Sequence, residues 1–227
     1  MLILIRMRGF NMKKKNNLTL ILIITFLIAI TYTILVKIVD VAAIGPNNTE
    51  VGFSTINGFF HNLTGYNDFW YKLSKYLGII PFLIVFCYGI IGLKQLIIKK
   101  SLKKVDKRII VLGIFYVIIG LCYVLFEKII INYRPVILEG VLEASYPSSH
   151  TVLAITICAS SLLISKYYFK NPINNIIDTI TWIIMIFIVI ARLLSGVHWL
   201  TDIIGGILIS NFLLVLYCYT IKKIGEK

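Results

Sequence analysis

The chain has 227 residues, of which 59% are hydrophobic and only 15% charged, with a formal net charge of +13. A soluble domain carries roughly 45–50% apolar and about 25% charged residues, so this composition excludes an ordinary soluble domain and implies one embedded in a membrane. Nucleic acid is not expected as a partner. Proteins that bind it cluster Lys and Arg with aromatics on a polar surface, whereas here the cations sit in short segments between apolar runs.

Residues 1–17 read as a cytoplasmic segment carrying Arg6, Arg8, Lys13, Lys14 and Lys15. Met12 stands as an alternative start. The apolar run that follows is too long for the core of a cleaved signal peptide, which spans about 7–15 residues. A bilayer core about 30 Å thick needs roughly 20 apolar residues of helix. Six segments meet that requirement: Leu18–Val36, Leu77–Ile98, Ile109–Phe126, Thr151–Phe169, Ile176–Ala191 and Ile203–Ile221. The expected architecture is an all-α polytopic membrane bundle of about six helices over 18–221, with a short tail at 222–227.

Positive charge sets the orientation. The N-terminus, the connection holding Lys99, Lys100, Lys103, Lys104, Lys107 and Arg108, the connection with Lys166 and Lys170, and the tail with Lys222, Lys223 and Lys227 are all basic. Basic segments stay inside, so both termini are expected in the cytoplasm and the odd-numbered loops outside. The first outer loop, near 39–76, holds Phe59, Phe60, Phe69, Trp70 and Tyr71, a density that suits an interfacial or re-entrant helix. Cys87, Cys122, Cys158 and Cys218 are dispersed in apolar runs, as packing residues are rather than disulfide or zinc ligands.

The third and fifth loops carry chemistry. Together they hold Arg134, His150, Arg192, His198 and Asp202, and ionisable groups at membrane depth are expensive enough to mark function. His198 and Asp202 are four apart, so on a helix they share a face. The carboxylate can then accept an imidazole N–H and leave the other ring nitrogen free as nucleophile or base. Arg192 offers a planar fork of donors suited to phosphate. In the third loop, Pro147-Ser148-Ser149-His150 precedes a helix, whose N-terminal N–H groups and Ser148 and Ser149 hydroxyls form an anion site. His150 beside them can pass a proton to a leaving oxygen. Arg134 precedes Pro135, which ends the preceding helix. His61, in the first loop, reads as an interfacial residue.

These residues resemble the three motifs of the type-2 phosphatidic acid phosphatases, membrane enzymes related to vanadium haloperoxidases and bacterial acid phosphatases. The sequence PSSH at 147–150 is similar to the second motif, and Arg192, His198 and Asp202 keep the spacing of the third. Arg134-Pro135 supply the end of the first. Two positions depart from the pattern: Ala191 where the family has serine, and Glu127 where it has lysine, with Lys128 one residue later. The resemblance implies a phosphohistidine mechanism with His198 as nucleophile, Asp202 orienting it and His150 as acid and then base. It implies that Arg134, Arg192, Ser148, Ser149 and Lys128 hold the phosphoryl oxygens, with no metal or other cofactor. The implied substrate is a lipid phosphate or pyrophosphate of the phosphatidic acid, phosphatidylglycerol phosphate or undecaprenyl pyrophosphate class, met at the outer face of what composition suggests is a bacterial plasma membrane. The competing expectation is a binding or transport protein that keeps the phosphate site without turnover. Oligomeric state stays open.

Overall fold

The computed structural model describes residues 15–225. The expected basic residues Arg6, Arg8, Lys13, Lys14 and Lys227, and the alternative start at Met12, lie outside the described residues. The described chain forms eight α-helices and short 3-10 turns: α1 (Lys15–Ile38), α2 (Ser54–Thr64), α3 (Asp68–Leu77), α4 (Ile79–Lys99), α5 (Lys107–Lys128), α6 (Ser149–Ile164), α7 (Ile173–Leu194) and α8 (Leu200–Gly225). Among the described residues there is no β-strand, only three isolated bridges in loops.

Among the described residues, six helical stretches are long and apolar enough to cross a membrane: Asn17–Ile38, Asp68–Lys99, Lys107–Lys128, Ser149–Tyr167, Ile173–Leu194 and Leu200–Ile224. They match the six expected segments, and the all-helical polytopic bundle is the observed fold. The second span is longer than expected because α3 runs into α4 through Gly78, which keeps helical dihedrals (φ −61°, ψ −13°). The start of α3 is set locally, since the Asn67 side chain caps it by accepting from the Trp70 N–H at 3.2 Å. α5 starts likewise at Asp106, whose carboxylate accepts from the Arg108 N–H at 2.9 Å.

α6 and α8 lie at the centre of the bundle, while α1, α4, α5 and α7 turn Ile, Leu and Phe side chains outward. Lipid is as apolar as leucine, so helices in a membrane associate by close packing rather than by hydrophobic exclusion. The centre is built for that: Ala154, Cys158, Ala159 and Ser160 of α6 and Ser210 of α8 are fully buried. The hydroxyls on these helices fold back onto their own backbone, Ser160 onto the Ile157 carbonyl at 3.0 Å and Ser210 onto the Gly206 carbonyl at 2.6 Å. These two hydroxyls are thereby satisfied within their own helices rather than left facing hydrocarbon.

At one end of the bundle the connections become structured. The α2–α3 segment folds across the turn between α7 and α8. Gly196 has φ +65°, and a Cβ there would stand 1.7 Å from the Gly65 carbonyl oxygen, so only glycine allows the two backbones to cross. The Asn67 N–H bonds the Ser195 carbonyl at 3.1 Å beside that crossing. The α5–α6 connection makes a strap whose two limbs pair through Arg134 N–H to Glu143 carbonyl (3.0 Å) and Ser145 N–H to Asn132 carbonyl (2.9 Å). It lies on the first turn of α8, where Ser148 N–H meets the Asp202 carbonyl at 3.1 Å and Trp199 Nε1–H meets the Tyr133 carbonyl at 2.7 Å.

Candidate active site

The strap, the start of α6, the end of α7 and the start of α8 bring His150, Arg192, His198 and Asp202 to this end of the bundle. Arg192 (1% exposed), His198 (5%) and Asp202 (0%) are buried, so each polar atom needs a partner. Asp202 has three donors: the Ser145 hydroxyl, the Trp199 N–H at 2.9 Å and the Asn132 amide at 3.4 Å.

The histidine–aspartate pair is indirect. His198 Nδ1 is 3.8 Å from Asp202 Oδ2, too long for a hydrogen bond. Ser145 Oγ stands between them, 3.1 Å from His198 Nδ1 and donating to Asp202 Oδ2. The direct imidazole–carboxylate bond expected from the spacing is thus replaced by a serine bridge. The other ring nitrogen fixes the tautomer. Arg192 Nη2 lies 2.9 Å from His198 Nε2, and a guanidinium can only donate. Nε2 therefore carries a lone pair, and the ring proton sits on Nδ1, from which it bonds Ser145 Oγ. Burial first, then the positive charges of Arg192 and Arg134, hold His198 well below the usual histidine range. The ring is neutral near pH 7, as a nucleophile requires.

Arg192 also reaches α3: its Nη1 donates to Ser74 Oγ at 3.3 Å, and its guanidinium lies 5.7 Å from the Tyr71 ring centroid. Arg134 pairs with Glu143 at 2.6 Å. Among the buried nitrogens without a hydrogen-bond partner are Arg134 Nε, Arg192 Nε and His150 Nδ1. A small cavity is lined by Glu127, Arg134, Ser145, Ser149 and His198 with neighbouring apolar side chains. A second cavity of about 420 Å³ is lined by Gly78, Pro81, Phe82, Gly120, Tyr123, Ser149, His150 and Leu153. Tyr123, Ser149 and Leu153 face both.

The remaining expected residues divide. Ser149 opens α6 and borders both cavities. Ser148 is fully buried beneath it, with its Oγ accepting from the Thr151 hydroxyl at 3.0 Å. Lys128 is exposed at the last turn of α5 and outside both cavity linings, where Glu127 stands instead. A one-residue step on a helix is a rotation of about 100°, which accounts for Glu127 and not Lys128 bordering the cavity. His61, remote in sequence, is carried by α2 against Trp199, with ring centroids 5.4 Å apart. Ser145, Asn132 and Ser74 had no sequence signal, being loop or helix residues brought in by long-range folding.

No curated protein matches the chain in sequence. In fold it is similar to the crystal structure of a transmembrane PAP2-type phosphatidylglycerolphosphate phosphatase from Bacillus subtilis, with a TM-score of 0.60 and 17% identity, over 89% of this chain and 96% of that one. The family profile of the PAP2 superfamily matches residues 98–226. That match spans more than half of the chain and contains Arg134, His150, Arg192, His198 and Asp202, and by it the protein belongs to the PAP2 superfamily.

Proposed function

We propose that the protein is a lipid phosphatase acting through a phosphohistidine on His198, with its site at the outer face of a bacterial plasma membrane. The observation that carries this reading is the set of unpartnered buried nitrogens, Arg134 Nε, Arg192 Nε and His150 Nδ1, around a neutral imidazole whose lone pair is already oriented. Buried donors without partners are costly, and a phosphoryl group would satisfy them. The adjoining apolar cavity suits the chain of an amphiphile entering from the bilayer.

In this mechanism the phosphate draws Arg192 off His198 Nε2. The freed lone pair attacks phosphorus as the bond to the lipid oxygen breaks, and protonated His150 gives that oxygen its proton. His150 then takes a proton from water, the hydroxyl oxygen bonds phosphorus, the P–N bond breaks, and phosphate leaves. Arg134, Arg192 and Ser149 with the α6 N–H groups stabilise the charge that develops on the oxygens. Asp202, through Ser145, steadies the positive charge on the ring.

A panel of phosphatidic acid, phosphatidylglycerol phosphate and undecaprenyl pyrophosphate, given to detergent-purified protein, tests the activity and selects the substrate. An acid-labile phosphoenzyme should form in the wild type and not in His198→Ala. His150→Ala should retain far more activity on a nitrophenyl phosphate, whose leaving group needs no proton, than on a lipid. Phosphate still trapped on His198→Ala would refute the assignment. One observation favours a second reading, a phosphate-lipid binding or transport protein: Glu127 puts a carboxylate in the cavity lining. Lipid binding without turnover of any panel member would support it.

A further inference from the structure

Glu127 and Glu143 leave the candidate site short of free positive charge on the strap side. Arg134 is engaged by Glu143 at 2.6 Å, and Glu127 borders the same cavity as Arg134 and His198. At the Glu127 position the family resemblance implies a lysine. On the α3 side, outside both cavity linings but against His150, stands a cation that the sequence motifs do not mention. α3 ends beneath His150, where a Cβ placed on Gly78 would stand 2.9 Å from His150 Cδ2 and 3.2 Å from the Lys75 carbonyl oxygen. The histidine ring therefore packs directly on the turn that carries Lys75. The same turn holds Ser74, which accepts from Arg192 at 3.3 Å. Lys75 Nζ lies 6.0 Å from the centroid of the Tyr71 ring and the Arg192 guanidinium 5.7 Å from it, so the two cations share one aromatic neighbour. Lys75 is exposed and makes no ion pair among the described residues, whereas Lys72, one turn earlier, is held by Asp68 at 2.7 Å.

We infer that Lys75 is a phosphate-binding residue of this site, supplying from α3 the ammonium that the end of α5 lacks. The inference rests on the proposed phosphatase reading for its substrate, but its chemistry requires only an oxyanion beside His150. A lysine suits this place because its flexible stem delivers a point charge without the fixed geometry an arginine fork demands. Glycine at 78 is part of the device, since any larger residue would push His150 away from the Lys75 turn.

The test measures binding of orthovanadate to the purified full chain, alongside lipid phosphatase activity. Lys75→Gln should weaken vanadate binding and lower kcat/KM by about tenfold or more, the range for losing one charge-assisted contact. Lys75→Arg should stay within about threefold of wild type, and Lys72→Gln should leave both quantities unchanged. Adding Glu127→Lys to Lys75→Gln should restore much of the loss, because it returns an ammonium to the cavity lining. Unchanged vanadate binding in Lys75→Gln would overturn the inference, as would an equal loss in Lys72→Gln, recovery by neither Lys75→Arg nor Glu127→Lys, or a wild type that binds no vanadate. A wild type that binds vanadate but hydrolyses no lipid would refute the phosphatase reading, leaving the Lys75 result to be decided on binding.

Discussion

Removing the Ser145 hydroxyl isolates the link between His198, the proposed nucleophile, and the Asp202 carboxylate. In Ser145→Ala, His198 Nδ1–H loses its acceptor at 3.1 Å and Asp202 loses one of three donors. The ring cannot bond Asp202 where it stands, because 3.8 Å separates them. Closing that gap would require a shift of nearly an ångström, which would carry Nε2 away from its place beside Arg192. Leaving a buried donor unpaired costs about 1–3 kcal/mol, and each 1.4 kcal/mol of lost transition-state stabilisation is about tenfold in rate. Turnover should therefore fall by about 10- to 100-fold, with KM changed little, since the arginines that would hold phosphate are untouched. Steady-state kinetics on the best panel substrate measure this, and a thermal melt in detergent confirms that the variant is folded. A folded Ser145→Ala enzyme within about threefold of wild-type kcat would refute the serine bridge and return Asp202 to direct contact with the ring.

Filling the apolar cavity separates lipid binding from chemistry: Gly120→Phe, at a position with open space around it, should raise KM for a long-chain lipid phosphate by about tenfold and leave nitrophenyl phosphate hydrolysis within about twofold. Lys128→Ala should change kcat/KM by less than about twofold, because the side chain is exposed and outside both cavity linings, and a tenfold loss would place it in the site. Glu143→Gln frees Arg134 from a half-exposed pair worth roughly 0–1 kcal/mol, so KM should fall by up to about fivefold at low salt, read from substrate titrations. A histidine held neutral by burial takes up its proton less readily folded than unfolded. The His198 contribution to stability is thus fully present above the ordinary value of 6.5 and is lost as pH falls below it. Melting temperature in detergent should decline below pH 6.5, and less so in His198→Gln.

The spans were legible because apolar runs of the length a bilayer demands are a strong, local signal, and Gly78 alone blurred one boundary. His198, Asp202 and Arg192 were legible because their spacing places them on neighbouring turns of two consecutive elements. Ser145 and Asn132 were not. They belong to an irregular strap, and only the pairing of its limbs lowers them onto α8. In sequence, Tyr71, Ser74 and Lys75 belong only to a segment that suits the membrane interface, and nothing local shows that α3 closes over Arg192. Lys128 is the converse case: its neighbourhood in sequence suggests a reach to the site, while the structure leaves it exposed and outside both cavity linings.

In the proposed mechanism, the hydrogen bond between Arg192 and His198 makes the site self-quenching. The lone pair that would attack is covered by a donor, and the charge that would bind an anion is partly spent on an imidazole. A neutral ester or a stray electrophile offers the guanidinium nothing better, so it meets a blocked nitrogen. An oxyanion with two acceptors does offer something better, and in drawing the guanidinium over to itself it uncovers the nitrogen beside its own phosphorus. On the proposed mechanism, discrimination thus precedes bond-making, and the ligand that is chosen is also the one that arms the proposed nucleophile.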